Sequence, residues 1–137
     1  MHHYFLDTNI IIDFLAAREP HVDAIDKLMI FANQNKVKLY ASSLAFKDVM
    51  YIMRKLKSQE KLADDLLQLS KVIELMNVDA AIILESLQSG MKDFEDAVQY
   101  HTAISNKKIE AIVTRNHKDY KRSKIAVLTA EQAAKNI

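Results

Sequence analysis

The stretch YFLDTNIIID, residues 4–13, passes from a short strand directly into a helix and decides the fold. Tyr4 to Leu6 is an aromatic and apolar run of the kind that forms a buried strand. Thr8 and Asn9 are residue types that cap a helix N-terminus, and the apolar run behind them predicts a helix. Asp7 stands at the junction. Because Thr8 and Asn9 can both act as caps, we expect Asp7 to be available for another role.

The alternation of strand and helix continues along the whole chain. Strands are predicted over Tyr4–Leu6, Val37–Tyr40, Leu75–Val78, Ala111–Val113 and Ile125–Leu128. Helices are predicted over Ile10–Ala16, from Pro20, from Ser42 or Ser43 to about Lys57, over Glu60–Leu69, from Asp79 to near Gly90, from Asp93, and after Thr129. Strands that alternate with helices favour a parallel sheet covered on both faces. The sequence therefore predicts an α/β fold, a three-layer α/β/α sandwich around a central parallel sheet of four to five strands.

The size and composition of the chain restrict both its organisation and its chemistry. The 137 residues fit a single domain over residues 1–137, and 50% apolar residues supply one core. A formal net charge of +1 means that any contact with nucleic acid must come from a local basic patch. With one glycine and one proline, the chain has no glycine-rich phosphate-binding loop.

Cysteine usage and hydropathy bear on where the protein works. The absence of cysteine excludes disulfides, thiolate metal sites and cysteine nucleophiles, and it is consistent with a reducing cytosol. No apolar segment approaches the length of a membrane-spanning helix. Asp7, Asn9 and Asp13 interrupt the apolar run at the N-terminus, which is not typical of a signal peptide. We expect a cytoplasmic protein without a membrane partner.

Four aspartates are candidates for a metal site, although each has an ordinary explanation when taken alone. Asp7 and Asp96 are typical of helix starts, Asp48 of a polar helix face, and Asp119 of a turn. Ligands of parallel sheets bind outside the carboxyl ends of the strands, where Asp7 and residues 114–116 are expected. Oxygen ligands suit Mg²⁺ or Mn²⁺, and no Ser–His pair, cysteine or paired glutamate offers comparable chemistry.

Four segments, in order, resemble the motifs of the PIN-domain nucleases, and in particular the VapC-like toxins of VapBC toxin–antitoxin pairs. They are residues 5–13, residues 42–49, residues 93–97 followed by Ala103, and residues 114–120. These segments span nearly the whole chain. The resemblance implies a PIN-like, Rossmann-like fold and a metal-dependent endoribonuclease, the toxin of a type II toxin–antitoxin pair.

The resemblance also implies a set of site residues. Catalytic roles would fall to Asp7, Asp48, Asp96 and Asp119, with Mg²⁺ or Mn²⁺ held by Asp7, Asp96 and Asp119. Supporting hydrogen bonds would come from Thr8, Asn9, Asp93, Thr114 and Asn116. The family usually has Glu where Asp48 stands, and the shorter Asp is consistent with an indirect role through water. The fourth acidic position falls on either Asn116 or Asp119. Water would attack the phosphodiester in line, without a covalent intermediate.

A basic segment follows the predicted strand Ala111–Val113 and suggests how RNA is held. Residues 115–124 contain five Lys or Arg residues and a single acid, Asp119. Phosphate contacts of this kind position RNA without reading its sequence. We expect RNA contacts from Arg115, Lys118, Lys121 and Arg122. A second basic cluster, Arg54, Lys55 and Lys57, is interpreted as solvated charge.

The apolar residues around Met50, Tyr51, Met53 and Leu62–Leu69 are more numerous than a single core of this size would bury. Most are expected in the core. The resemblance suggests that the others form a homodimer surface or a groove for an antitoxin helix.

Two other functions are compatible with parts of the sequence. A receiver-like signalling domain also has parallel strands and a carboxylate metal site, but it needs an acidic pair after its first strand, where Asp7 stands alone. A PIN-fold scaffold or RNA-binding protein with weakened catalysis is the second alternative, because Asp48 and Asn116 depart from the usual acids.

Overall fold

The computed structural model describes residues 1–137 and is built on one five-stranded sheet in which every neighbouring pair is parallel. The strands are β1 (His2–Leu6), β2 (Val37–Ser42), β3 (Ile73–Met76), β4 (Ala111–Val113) and β5 (Ala126–Leu128). Their order across the sheet is β3-β2-β1-β4-β5. The predicted parallel sheet of four to five strands is therefore confirmed.

Seven α-helices and one 3₁₀ turn accompany these strands, and the last helix follows β5. They are α1 (Thr8–Leu15), α2 (Val22–Asn33), α3 (Ser43–Ile52), α4 (Gln59–Leu69), α5 (Ala80–Gln88), α6 (Phe94–Ile104), the 3₁₀ turn His117–Tyr120, and α7 (Ala130–Lys135). Ser42, one of the two caps considered for α3, and the predicted caps Asp79 and Asp93 each accept a hydrogen bond from a backbone N–H of the first turn, and Thr129 caps α7 in the same way. No helix has both the length and the apolar character that crossing a bilayer requires.

Alternate side chains of each central strand enter two separate cores. Tyr4 and Leu6 of β1 join a core of 23 buried residues that α1, α2, α3, α4 and α7 cover. Phe5 points to the opposite face, where it joins a core of seven buried residues with Tyr100 of α6. Helix α5 packs against α6 on this second side. The two cores on opposite faces of one sheet are the three-layer sandwich that the sequence predicts.

Several predicted boundaries are wrong by a few residues. Helix α3 ends at Ile52 rather than Lys57, because the chain turns where the Leu56 N–H bonds to the Met53 carbonyl. Strand β3 begins at Ile73 rather than Leu75, since buried Ile73 pairs in register with Leu39. Helix α2 begins at Val22 rather than Pro20, after a turn in which Arg18 accepts two backbone hydrogen bonds.

The strand order places a crevice at the carboxyl ends of β1 and β4. The chain leaves β1 toward β2 on one side, while β4 pairs on the other side, so connections diverge between β1 and β4. Ligands of open α/β sheets bind at such a point of divergence. Asp7 follows β1 and Thr114 follows β4, so both lie at this edge of the sheet.

We expect Phe5→Ala to lower the free energy of unfolding by about 3–5 kcal/mol, because it removes a fully buried ring from the smaller core. Urea denaturation measures this loss. Leu67→Ala is the matched control, since its side chain is 65% exposed and the change should stay within about 0.5 kcal/mol. Equal losses in both variants would contradict the assignment of the second core.

Candidate active site

The carboxylate of Asp7 is buried at the end of β1 and is hydrogen-bonded from four segments of the chain. Its Oδ1 accepts from the Thr8 backbone N–H at 2.8 Å and from Gln99 Nε2 at 3.2 Å. Its Oδ2 accepts from the Thr114 hydroxyl at 2.8 Å and from the Tyr120 hydroxyl at 3.2 Å. These donors fix the orientation of Asp7 with respect to α1, α6, β4 and the 3₁₀ turn.

Asp7 is also the N-cap of α1, because that helix begins at Thr8. The expectation that Thr8 or Asn9 would cap the helix is therefore wrong. Instead, the Thr8 hydroxyl accepts from Gln99 Nε2 at 3.0 Å, and Asn9 Nδ2 donates to the Thr114 hydroxyl at 3.2 Å. Both residues hydrogen-bond around the buried carboxylate.

Asp96 lies in the first turn of α6 and faces the other carboxylates. Its backbone N–H donates to the capping Asp93 side chain at 3.0 Å. Burial, followed by the negative charges of Asp93, Asp119 and Asp7, raises the pKa of Asp96 to about 7. A side-chain hydrogen bond with Asp119 acts in the same direction. We call Asp7, Asp93, Asp96 and Asp119 the acidic cluster.

The 3₁₀ turn decides between the two candidates for the fourth acidic position. Asp119 lies near enough to Asp96 for its negative charge to raise the pKa of Asp96. Both residues are exposed, but Asn116 hydrogen-bonds only through its backbone, whose N–H donates to the Thr114 hydroxyl at 3.0 Å. The acid that joins the cluster is therefore Asp119, and Asn116 contributes through the backbone.

The structure does not bring Asp48 into the acidic cluster. Asp48 lies within α3, and its carboxylate is 3.8 Å from Lys47 Nζ in an ion pair. It is not among the charges that raise the pKa of Asp96. The expected four-aspartate site is therefore represented here by Asp7, Asp96 and Asp119, with Asp93 as the additional neighbour.

The chemistry of the acidic cluster suits a hard divalent cation. None of its members forms an ion pair with Lys or Arg, so no basic side chain neutralises its carboxylates by direct contact. No three acidic or histidine side chains converge closely enough to enclose a metal ion. Mg²⁺ needs only one or two carboxylates, with water and substrate phosphates completing its shell. The residues present therefore fit such an ion.

A cleft of about 540 Å³ opens beside the acidic cluster and carries both signs of charge. Three acids of the cluster line it, and so do five basic residues: Lys92, Lys118, Lys121, Arg122 and Lys124. A cleft with carboxylates on one part and cations on another can hold a divalent ion next to an anionic chain. We call this the charged cleft.

Arg115 does not line the charged cleft, and the expectation that it contacts RNA is not supported by its surroundings. Its Nη2 donates to Asp13 Oδ1 at 3.2 Å, and its Nε donates to the other oxygen of the same carboxylate. Asp13 is fully buried. A guanidinium held by a buried carboxylate is committed to an intramolecular partner.

Two residues of the site were missed by the sequence analysis. Gln99 lies between Val98 and Tyr100 on α6, and all three side chains are buried. A polar amide in a buried stretch of helix requires a hydrogen-bond acceptor, and that was the available signal. Tyr120 looked like a turn residue, but burial, followed by the charge of Asp7, raises its pKa well above the usual range. Tyr120 therefore remains a neutral donor to Asp7.

A family model of the PIN domain matches residues 3–118 of the chain. The chain therefore belongs to the PIN-domain family, as the four motifs indicated. A search of curated proteins by sequence gives no match.

Solved structures of VapBC toxin–antitoxin complexes contain the same fold as this chain. The DNA-bound VapBC of Salmonella typhimurium is 16% identical over 95% of this chain and 99% of that one, with a TM-score of 0.71. VapBC2 of Rickettsia felis, bound to a promoter DNA fragment, is 22% identical over 93% and 98%, with a TM-score of 0.68. VapC20 of Mycobacterium tuberculosis, a sarcin–ricin loop cleaving toxin, is 15% identical over 80% and 86%, with a TM-score of 0.62.

The raised pKa of Asp96 predicts a pH-dependent stability in EDTA. A folded-state pKa of about 7, against 3.8 for the unfolded chain, stabilises the fold at low pH, and this contribution is lost as the pH rises through about 7. Because Asp96 is partly exposed, we expect a loss of only about 1–2 kcal/mol between about pH 5 and about pH 8.

Urea denaturation across this pH range measures the loss. Asp96→Asn should flatten the profile and be more stable than the wild type at the alkaline end. Asp64→Asn, an exposed aspartate of α4, is the control and should keep the wild-type profile. Identical profiles for wild type and Asp96→Asn would contradict the prediction.

Proposed function

We propose that this protein is a Mg²⁺- or Mn²⁺-dependent endoribonuclease and the toxin of a type II toxin–antitoxin pair. In this proposal residues 1–137 form one catalytic domain that works in the cytoplasm. The observation that carries it is the acidic cluster, which no basic side chain contacts in an ion pair, next to the charged cleft, in a chain of the PIN-domain family.

The proposed chemistry is hydrolysis of an RNA phosphodiester by water. A divalent cation bound directly by one or two of Asp7, Asp96 and Asp119, and through water by the rest, would lower the pKa of water and neutralise charge on the phosphate. Asp96 has to release its proton near neutral pH to serve as a ligand. Thr114 keeps one oxygen of Asp7 oriented, while Thr8, Asn9, Asp93 and Asn116 maintain the surrounding hydrogen bonds.

RNA is the proposed substrate because the basic side of the charged cleft suits a phosphate backbone. Lys118, Lys121 and Arg122 are exposed there and form no ion pair with a carboxylate. Side chains of this type bind phosphates through a sequence-independent, salt-dependent contribution. The sarcin–ricin loop cleavage by VapC20, a protein of the same fold, supports RNA as the substrate class.

A small antitoxin is the proposed protein partner, and the VapBC assemblies of similar fold support it. A groove of about 370 Å³ between α1, α2 and α4 has an apolar lining that includes Phe14, Met29 and Leu69. Such a groove suits the apolar face of a helix. At the end of α3, Tyr51 and Ile52 are exposed, and we propose this surface for a homodimer.

One alternative remains a competitor, namely a PIN-fold protein that binds RNA without cleaving it. The position of Asp48 outside the acidic cluster favours this alternative. The receiver-like alternative is set aside, because the chain belongs to the PIN-domain family. Cleavage assays with Mn²⁺ distinguish the enzyme from the non-cleaving protein.

Asp7→Asn and Asp96→Asn should each reduce Mn²⁺-dependent RNA cleavage by about a hundredfold or more, since each removes a charged ligand of the cation. Cleavage of defined RNAs, followed on gels, measures the effect. Asp64→Asn on the exposed surface of α4 is the control and should cleave like the wild type. If all three variants cleave equally, a contaminating nuclease is responsible and the assignment fails.

Lys118→Ala and Lys121→Ala should weaken RNA binding most at low salt and should each reduce the slope of log K against log salt by about 0.7. Binding is measured in EDTA, so that cleavage does not interfere. Lys36→Ala is the matched control, because Lys36 is exposed just before β2, at the opposite edge of the sheet. An unchanged slope in the two cleft variants would argue against this RNA path.

A further inference from the structure

Asp13 and Arg115 form an ion pair between α1 and the turn after β4. The carboxylate of Asp13 is fully buried, and both of its oxygens accept from the Arg115 guanidinium. Arg18 Nη1 lies 3.6 Å from the same carboxylate. A bidentate guanidinium–carboxylate pair fixes orientation as well as distance. The pair therefore ties the turn to α1 across 102 positions of sequence.

The backbone of this turn is held by the same helix. The Arg115 N–H donates to Asn9 Oδ1 at 3.4 Å, and Asn9 is one helical turn before Asp13 on α1. Thr114, the preceding residue, donates to the buried carboxylate that ends β1. Four residues after Arg115, the same turn presents Asp119 to the acidic cluster. Arg115 thus lies in sequence between Thr114 and Asp119, which both belong to the site, but its ion pair does not contact the acidic cluster.

We propose that Arg115, anchored on Asp13, is a positioning residue that holds the turn of residues 114–120 against α1. It keeps Asp119 beside Asp96, so the affinity of the acidic cluster for a divalent cation depends on it. This role replaces the phosphate contact expected from the sequence. The inference rests on the proposed metal site, although the anchoring itself can be measured without metal.

The test uses Arg115→Lys, which keeps the positive charge but loses the two-pronged contact. Mn²⁺ affinity is measured from the electron paramagnetic resonance signal of free Mn²⁺, and amide hydrogen exchange of residues 114–120 is measured in EDTA. We expect about tenfold weaker Mn²⁺ binding, the effect typical of groups that orient metal ligands, together with faster exchange in the turn.

Arg18→Ala is the matched control, because Arg18 pairs with the same carboxylate but lies outside the turn. Its side chain is 47% exposed, so its removal should change Mn²⁺ affinity by less than about twofold and leave exchange in the turn unchanged. The double change Asp13→Asn with Arg115→Gln leaves no unpaired buried charge, and it replaces Arg115→Lys if that variant fails to fold.

If amide hydrogen exchange of residues 114–120 is the same in Arg115→Lys as in the wild type, the proposal is wrong, whatever the Mn²⁺ affinity. Weaker RNA binding with unchanged exchange and unchanged Mn²⁺ affinity identifies Arg115 as a phosphate contact instead. If the wild type binds no Mn²⁺, the proposed function fails, while exchange in the Arg115→Lys turn still decides whether the pair anchors it.

Discussion

The buried carboxylate of Asp7 is the interaction on which the arrangement of the site depends. Its five donors come from α1, α6, the end of β4 and the 3₁₀ turn, elements that are otherwise far apart in the sequence. Burying a carboxylate is costly unless hydrogen bonds compensate it. Each of these elements must therefore pack against the carboxyl end of β1 to supply its hydrogen bond. Because α6 and the 3₁₀ turn are among them, the same packing brings Asp96 and Asp119 close to Asp7.

The acidic cluster is a consequence of this convergence and sets up an electrostatic conflict. Carboxylates gathered without a basic partner repel one another, and burial together with this repulsion raises the pKa of Asp96 to about 7. A buried carboxylate outside the acidic cluster has a basic partner. Asp13, which is more deeply buried than Asp7, is neutralised by Arg115. Arg115 thus neutralises Asp13, whereas no basic side chain forms an ion pair with the acidic cluster. A cluster of unpaired carboxylates is the condition that a cation site requires.

The basic residues after β4 also fall into two groups, one paired with a buried carboxylate and one unpaired. Sequence alone groups Arg115 with Lys118, Lys121 and Arg122, because they are close together and follow one strand. The fold separates them, because Arg115 precedes the 3₁₀ turn and lies beside α1, whereas Lys118 lies within the turn and Lys121 and Arg122 follow it. Arg115 points to α1 and meets a carboxylate, whereas the other three line the charged cleft. Proximity in sequence was therefore a poor guide to which charges share a surface.

The sequence by itself determined the alternation of strand and helix, the parallel sheet and the family, because these depend on local pattern and on motifs that are read in order. It also identified Asp7 and Asp96 at the starts of helices that follow strands or loops. Only the tertiary structure decided that Asp119 rather than Asn116 joins the cluster, that Asp48 lies outside it, and that Gln99 and Tyr120 belong to the site. These outcomes depend on the direction in which a side chain points once distant segments pack together, and no local pattern specifies that direction.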